Sequence, residues 1–65
     1  MVKTTRAQRE SLRRIHQRIV DAQKPSTSPM PYRRFRAYVR PGPGCIMVPF
    51  AGMWLGIEPD GNTHS

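Results

Sequence analysis

The stretch "GCIMVPFAGMWLGIEPDG", residues 44–61, decides the fold expected for this chain. It holds two short β-prone runs, residues 45–50 and 53–58, on either side of Ala51 and Gly52. Two such runs joined by a two-residue turn are typical of a β-hairpin. Successive side chains of a strand point to opposite faces, and apolar residues occupy both sets of positions here. The sequence therefore predicts a hairpin that is apolar on both faces.

The positive charge of the chain lies entirely before this hairpin. All eleven lysines and arginines of the 65 residues lie at or before Arg40. Residues 1–40 combine them with two acidic residues for a net charge of +9, whereas residues 41–65 have a net charge of −2. Such a charge exceeds what solubility needs and is typical of proteins that contact a polyanion. We therefore expect a partner such as nucleic acid or anionic lipid.

The amino-terminal segment has the pattern of an amphipathic helix over residues 5–23. Thr5 followed by Gln8 fits a capping box, in which each side chain bonds the backbone N–H of the other residue. Apolar residues then recur at spacings of three and four, with Gln8 and His16 flanking them. The predicted apolar stripe consists of Leu12, Ile15, Ile19 and Ala22.

Arginine dominates the opposite side of this predicted helix. Glu10 and Arg14 are spaced to form a favourable i,i+4 pair, which contributes only about 0.2 to 0.5 kcal/mol. One such pair does not neutralise the arc, so the helix keeps a positive face. The arginines on that arc are Arg6, Arg9, Arg13, Arg14 and Arg18.

Residues 24–31, "KPSTSPMP", predict a linker because three prolines cannot continue a helical hydrogen-bond ladder. The next segment, residues 32–40, is ambiguous. Read as a helix starting after Pro31 it places Tyr32, Phe35 and Val39 on one face. Read as a strand it separates Phe35, Ala37 and Val39 from Arg34, Arg36 and Arg40. We favour the short helix, and in both cases arginines flank aromatic residues.

The expected fold is an α+β miniprotein. It consists of one long N-terminal amphipathic helix, a short basic second helix and a C-terminal β-hairpin over residues 45–58. A chain of about 60 residues buries only ~60% of the surface exposed when it is unfolded, so its own core is small. One face of the hairpin can receive the helix stripe, and the second face is expected to dock on another protein.

The sequence predicts no metal, no cofactor and no catalytic site. Cys45 is the sole cysteine and is far from His16 and His64, whereas structural zinc sites use four clustered Cys or His ligands. Glu58 and Asp60 flank Pro59 in "EPDG", a sequence typical of a turn. No residue is placed to orient a Cys45–His16 pair for nucleophilic catalysis. The apolar run over residues 45–57 is also too short to span a membrane, so a membrane partner is not expected.

Two sets of candidate site residues follow. Arginine makes bidentate contacts with phosphate, and tyrosine or phenylalanine can stack on unpaired bases, although core packing is the commoner role of such aromatics. The predicted nucleic-acid-binding residues are Arg6, Arg9, Arg13, Arg14, Arg18, Arg33, Arg34, Arg36, Arg40, Tyr32, Phe35 and Tyr38. The predicted protein-interface residues are Ile46, Val48, Phe50, Met53, Trp54 and Leu55.

The segments "MPYRRFRAYVRP" and "MVPFAGMWLGIEPDGNTHS" resemble short basic proteins encoded by tailless single-stranded DNA bacteriophages, the microviruses. The resemblance covers about half of the 65-residue chain and carries no catalytic residue. It implies a small phage protein that meets DNA, capsid or both. It rests on Tyr32, Phe35, Arg36, Gly52, Met53, Trp54, Leu55, Asp60, Gly61, Thr63 and His64.

Charge and resemblance together predict a small basic phage protein that binds nucleic acid nonspecifically. Single-stranded DNA is the favoured ligand, and the hairpin would dock on capsid protein or on a second copy of the chain. Such a protein would be a minor component of the virion, found there or in the host cytoplasm. Two alternatives are a protein-binding regulator of phage replication or of a host factor, and a membrane-active lysis peptide.

Overall fold

A computed structural model of the chain describes residues 2–64. It confirms the α+β fold, with a long helix, a short helix and an antiparallel sheet. The sheet has four strands in the order β1-β2-β3-β4 instead of the two of an isolated hairpin. The elements are α1 (Arg6–Ala22), α2 (Tyr32–Ala37), β1 (Arg40–Gly42), β2 (Cys45–Phe50), β3 (Met53–Ile57) and β4 (Thr63–His64).

The capping box predicted at the start of α1 is present. The Thr5 hydroxyl accepts from the Gln8 backbone N–H at 3.1 Å, and the Thr5 N–H donates to Gln8 Oε1 at 2.8 Å. Leu12 and Ile15 are buried as predicted, and Ile19 is half-buried. Ala22 is exposed, so this member of the predicted stripe is wrong.

Gln8 and Ser11, two polar residues, are buried on the core side of α1 instead. Gln8 Nε2 donates to the Ile57 carbonyl at 3.0 Å, and the Ser11 hydroxyl donates to the Gly61 carbonyl at 2.6 Å. The Thr5 hydroxyl donates to the Pro59 carbonyl at 2.6 Å. These bonds attach the first half of α1 to the end of β3 and the turn that follows it. Their partners lie about 50 residues away, so the local pattern of the helix does not reveal them.

The ambiguous segment forms a helix, α2, as favoured. Pro31 caps it with φ −67° and ψ 147°, an extended conformation that proline adopts readily. The helix ends at Ala37, earlier than residue 40, and Arg40 already belongs to β1. Phe35 of α2 and Val39, which follows the helix, are both buried in the core.

The hairpin of β2 and β3 has the predicted strands and turn. Val48 pairs with Leu55 and Ile46 with Ile57 on the core-facing side. Ala51 and Gly52 connect the strands with φ values of 52° and 78°. Positive φ at both central residues is the mark of a type I′ turn, whose twist matches that of the two strands. Glycine adopts this conformation freely, whereas Ala51 does so against the preference of its Cβ.

Two short edge strands complete the sheet and were not predicted. β1 pairs with β2 through Arg40–Gly42 and includes Pro41, a residue tolerated on edge strands. β4 has two residues and pairs with β3 after the turn predicted at 58–61, where the Gly61 N–H donates to the Glu58 carbonyl at 2.8 Å. Strands of two or three residues that contain Pro and Gly lack a detectable alternating pattern.

The core lies between the two helices and one face of the sheet. Among residues 2–64, seven hydrophobic residues are buried there, four from α1, α2 and the segment after α2, and three from the strands. Both the basic and the apolar halves of the sequence therefore contribute to one core. The buried residues are Leu12, Ile15, Phe35, Val39, Ile46, Val48 and Ile57.

Candidate nucleic-acid interface

The predicted phosphate-binding arginines lie on α1, on α2 and at the start of β1. Eight of the nine are exposed, and Arg36 is half-buried. Among residues 2–64, the salt bridge formed is Arg6 to Glu10, at 3.9 Å between two exposed side chains. Glu10 therefore pairs with Arg6, one turn before it, and the expected pair with Arg14 is wrong. Because one arginine has a carboxylate partner within residues 2–64, most of the positive charge in that part of the chain has no internal compensation.

The arginines of α1 occupy two flanks of the helix. Arg9 and Arg13 border a cleft next to α2, whereas Arg14 and Arg18 border a groove next to the sheet. An α-helix turns 100° per residue, so the pair Arg9 and Arg13 lies on a different flank of α1 from the pair Arg14 and Arg18. Asp21 accepts a hydrogen bond from Gln17 Nε2 at 2.8 Å and forms no salt bridge with an arginine of residues 2–64. The helix thus presents two separate basic edges.

The basic cleft lies between α1, α2 and the residues before α1, and has a volume of about 470 Å³. Four of its seven lining residues are cations and none is acidic, so the positive potential adds within it. Its lining residues are Val2, Lys3, Thr4, Arg9, Arg13, Tyr32 and Arg36. Lys3 was not predicted as a site residue, since it precedes the helix and belongs to no periodic pattern.

Tyr32 forms one wall of the basic cleft and is held by its neighbours. The Arg13 guanidinium carbon lies 4.8 Å from the centroid of the Tyr32 ring, a cation–π contact. The His16 ring meets Tyr32 edge to face, with 5.6 Å between centroids and 86° between planes. His16 Nε2 donates to the Met30 carbonyl, which fixes the ring orientation. Tyr32 is therefore positioned by α1 and by the end of the linker.

Arg36 links α2 to the chain that precedes α1. Its Nη2 donates to the Val2 carbonyl at 2.9 Å and to the Thr4 hydroxyl at 3.1 Å. Its Nη1 is buried and has no hydrogen-bond partner among the residues that the structure describes. A charged donor buried without an acceptor is costly, and its burial also keeps a ligand from reaching it in this conformation. Arg36 therefore has a structural role, which is to join α2 to the chain before α1.

An open depression on the surface of α2, the α2 hollow, adjoins the basic cleft. It has a volume of about 450 Å³ and is lined by Tyr32, Arg33, Arg36 and Ala37. Its walls are mainly carbon atoms, which the stems of the two arginines and the tyrosine ring supply. Tyr32 and Arg36 line both the basic cleft and the α2 hollow, so the two cavities share a wall.

The three predicted stacking aromatics differ in accessibility. Phe35 is 1% exposed and sits in the core, so its assignment as a stacking residue is wrong. The reason is that Phe35 lies on the core-facing side of α2 beside Val39. Tyr32 is half-buried with access to two cavities, and Tyr38 is 46% exposed just after α2. Only the two tyrosines remain available to a base.

The predicted protein interface divides in a similar way. Ile46 is 3% exposed and Val48 is fully buried, because both point toward the helices, so their assignment to an interface is wrong. Trp54 and Met53 are about half exposed near the hairpin turn. Phe50 and Leu55 are half-buried and border the groove of Arg14 and Arg18.

The outer face of the sheet is the side that faces away from the helices. It carries Cys45, Met47, Pro49 and Trp54, which alternate with the core residues of β2 and β3. His64 of β4 is paired with Gly56, and an added Cβ at Gly56 would lie 2.8 Å from the imidazole Cε1. The His64 ring therefore covers the space that Gly56 leaves open.

No protein-family model, curated protein or solved structure matches this chain. The resemblance to microvirus proteins thus stays a prediction. Neither helix within residues 2–64 has the length and apolar character needed to cross a lipid bilayer.

Proposed function

We propose that this protein binds nucleic acid nonspecifically through the arginines of α1 and α2. The observation that supports this most strongly is the basic cleft, where Lys3, Arg9, Arg13 and Arg36 converge with no acidic residue among its lining. The groove of Arg14 and Arg18 adds a second basic edge. Guanidinium groups pair with phosphate through two parallel hydrogen bonds, which suits them to this ligand.

The binding is nonspecific because the cations are spread over two flanks of α1 and both exposed sides of α2. Contacts of this kind are made to the phosphate backbone, which is the same for every sequence. Reading a sequence requires a short set of fixed side chains aimed at base edges. Within the described residues, Arg9 and Arg36 donate hydrogen bonds to the chain before α1, and the other arginines form none that fixes the guanidinium, so they can adjust to the backbone of the ligand.

The sheet supplies the second part of the proposal. The outer face with Trp54, and Met53 at the hairpin turn, would dock on capsid protein or on a second copy of the chain. Support comes from the exposure of Trp54 and Met53, since large apolar side chains left half exposed are typical of interfaces. The protein would then be a minor component of a phage particle, a role that rests on the microvirus resemblance.

The nucleic-acid proposal predicts a steep salt dependence. Titrating labelled single-stranded DNA at several salt concentrations should give a slope of log affinity against log salt near −4, if about six phosphates are engaged. The variant Lys24→Gln is a matched control, because it removes one positive charge from the linker without touching the basic cleft. A flat salt response of the unaltered protein contradicts the proposal.

The docking proposal is tested on purified particles. Mass spectrometry that finds the protein at a fixed copy number supports a virion component. A pull-down from infected cells that retains a replication or host protein after nuclease treatment, with no protein in particles, favours the regulator alternative instead.

A further inference from the structure

The basic cleft and the α2 hollow differ in chemistry although they share a wall. The cleft is lined by four cations, and the hollow mainly by carbon atoms. Tyr32 and Arg36 form the shared wall because they lie four residues apart on α2, on the same side of the helix. A ligand that occupies both must carry an anionic part next to a flat apolar part.

The anionic part of such a ligand fits phosphate. Phosphate oxygens accept from several donors that approach from different directions, and here donors come from α1, from α2 and from the chain before α1. Lys3, Arg9 and Arg13 are exposed within the cleft and can approach a phosphate, whereas the buried Nη1 of Arg36 does not reach it in this conformation. Arg13 is held over the Tyr32 ring at 4.8 Å, so its charge is already directed to this place.

The apolar part fits a nucleobase. The hollow is bordered mainly by carbon atoms of Tyr32, Arg33 and Arg36, and an aromatic ring such as that of Tyr32 stacks on bases. Ala37 closes the hollow with a small side chain, which leaves room for a planar ring. Such packing recognises the face of a base and not its edge, so every base is acceptable.

We infer that the basic cleft and the α2 hollow together bind one unpaired nucleotide of a nucleic-acid strand, with its phosphate in the cleft and its base stacked on Tyr32. The inference rests on the proposed function and adds a base contact to it. In a duplex the base is paired and stacked within the helix, so its face cannot enter the hollow. The site therefore prefers single strands, without regard to sequence.

The test compares three ligands of equal length by fluorescence anisotropy at one salt concentration. These are oligothymidylate, an abasic oligonucleotide with the same phosphates, and a duplex. The unaltered protein should bind oligothymidylate about tenfold more tightly than the abasic strand, as one base stack contributes. Equal affinity for both strands overturns the inference, while salt-dependent binding of both leaves the proposed function in place.

Variants at Tyr32 locate the base contact. Tyr32→Leu keeps an apolar side chain at the core edge but removes the aromatic face, so the preference for oligothymidylate over the abasic strand should disappear. Tyr32→Phe keeps that face and should retain the preference. Circular dichroism of both variants shows whether the fold is intact. A Tyr32→Leu variant that is folded and still prefers the base-bearing strand overturns the inference, and absence of binding to all three ligands overturns the proposed function as well.

Discussion

The helical layer and the sheet use their side chains differently. On α1 and α2 the apolar residues point inward and most of the arginines point outward. Among residues 2–64, one arginine, Arg6, forms a salt bridge. In the sheet one face completes the core, while the outer face keeps Met47, Pro49 and Trp54 in partial contact with solvent. The comparison shows that charge segregates by region, whereas the hydrophobic core is built jointly by both regions.

The largest expected effect comes from breaking the shared core. Leu12 is fully buried, and Leu12→Ala should lower the free energy of unfolding by about 2 to 5 kcal/mol, because it leaves a cavity between α1 and the sheet. A chain this small has little stability to lose, so the variant should be largely unfolded. Urea denaturation followed by circular dichroism measures the change.

Trp54→Ala is the matched change on the outer face. Trp54 is 50% exposed and its truncation leaves no closed cavity, so it should cost less than Leu12→Ala, about 1 to 2 kcal/mol, despite the larger side chain. Equal destabilisation by Leu12→Ala and Trp54→Ala would contradict the assignment of the core to one face of the sheet.

A smaller effect is expected where the turn after β3 meets α1. Gly61 has φ +92°, and an added Cβ would lie 3.0 Å from the Ala7 carbonyl oxygen and 3.1 Å from the Ser11 hydroxyl. Gly61→Ala should therefore destabilise the protein by more than 1 kcal/mol, roughly the cost of the left-handed conformation alone. Thermal unfolding measures the loss.

Gly44→Ala separates the cost of the positive φ from the cost of the close contacts with α1. Gly44 also has positive φ, +69°, but an added Cβ would meet nothing within 4 Å. It should show only the conformational cost. If both variants lose equal stability, the close packing of α1 on this turn is not needed for the fold.

The smallest effect concerns the hairpin turn. Ala51 has φ 52° in a type I′ turn, and Asn-Gly is a preferred sequence for that turn. Ala51→Asn should raise the free energy of unfolding by roughly 0.5 to 1 kcal/mol, because asparagine tolerates positive φ better than alanine. Unchanged or lower stability in urea denaturation would argue against the turn type.

Local patterns predicted the longer elements of the fold. Each of these patterns specifies the structure of neighbouring residues only. They are the Thr5–Gln8 capping box, the helical spacing of Leu12 and Ile15, and the two β-prone runs around Ala51 and Gly52. The edge strands depend on pairing with β2 and β3, and their own residues carry no strand pattern. Gln8 looked like a flanking polar residue because its acceptor, the Ile57 carbonyl, is distant in sequence.

The candidate site was only partly predictable for the same reason. Charge counting identified the arginines, but it could not divide Arg9 and Arg13 from Arg14 and Arg18, since that division depends on where α2 and the sheet pack. The sequence left two roles open for the aromatic residues, core packing and base stacking. In the structure Phe35 is buried in the core, whereas Tyr32 lies beside the basic cleft. Lys3 lines the basic cleft because the chain before α1 runs beside it. No periodic pattern in the sequence predicts that position.

The central claim is that the arginines of the helical layer are free to bind phosphate. It is tested most directly by the salt dependence of single-stranded DNA binding in the unaltered protein and in the double variant Arg9→Gln/Arg13→Gln. Loss of two phosphate contacts should make the slope of log affinity against log salt shallower by about 1.4, whereas Lys24→Gln should leave it unchanged. An unaltered slope in the folded double variant would contradict the account.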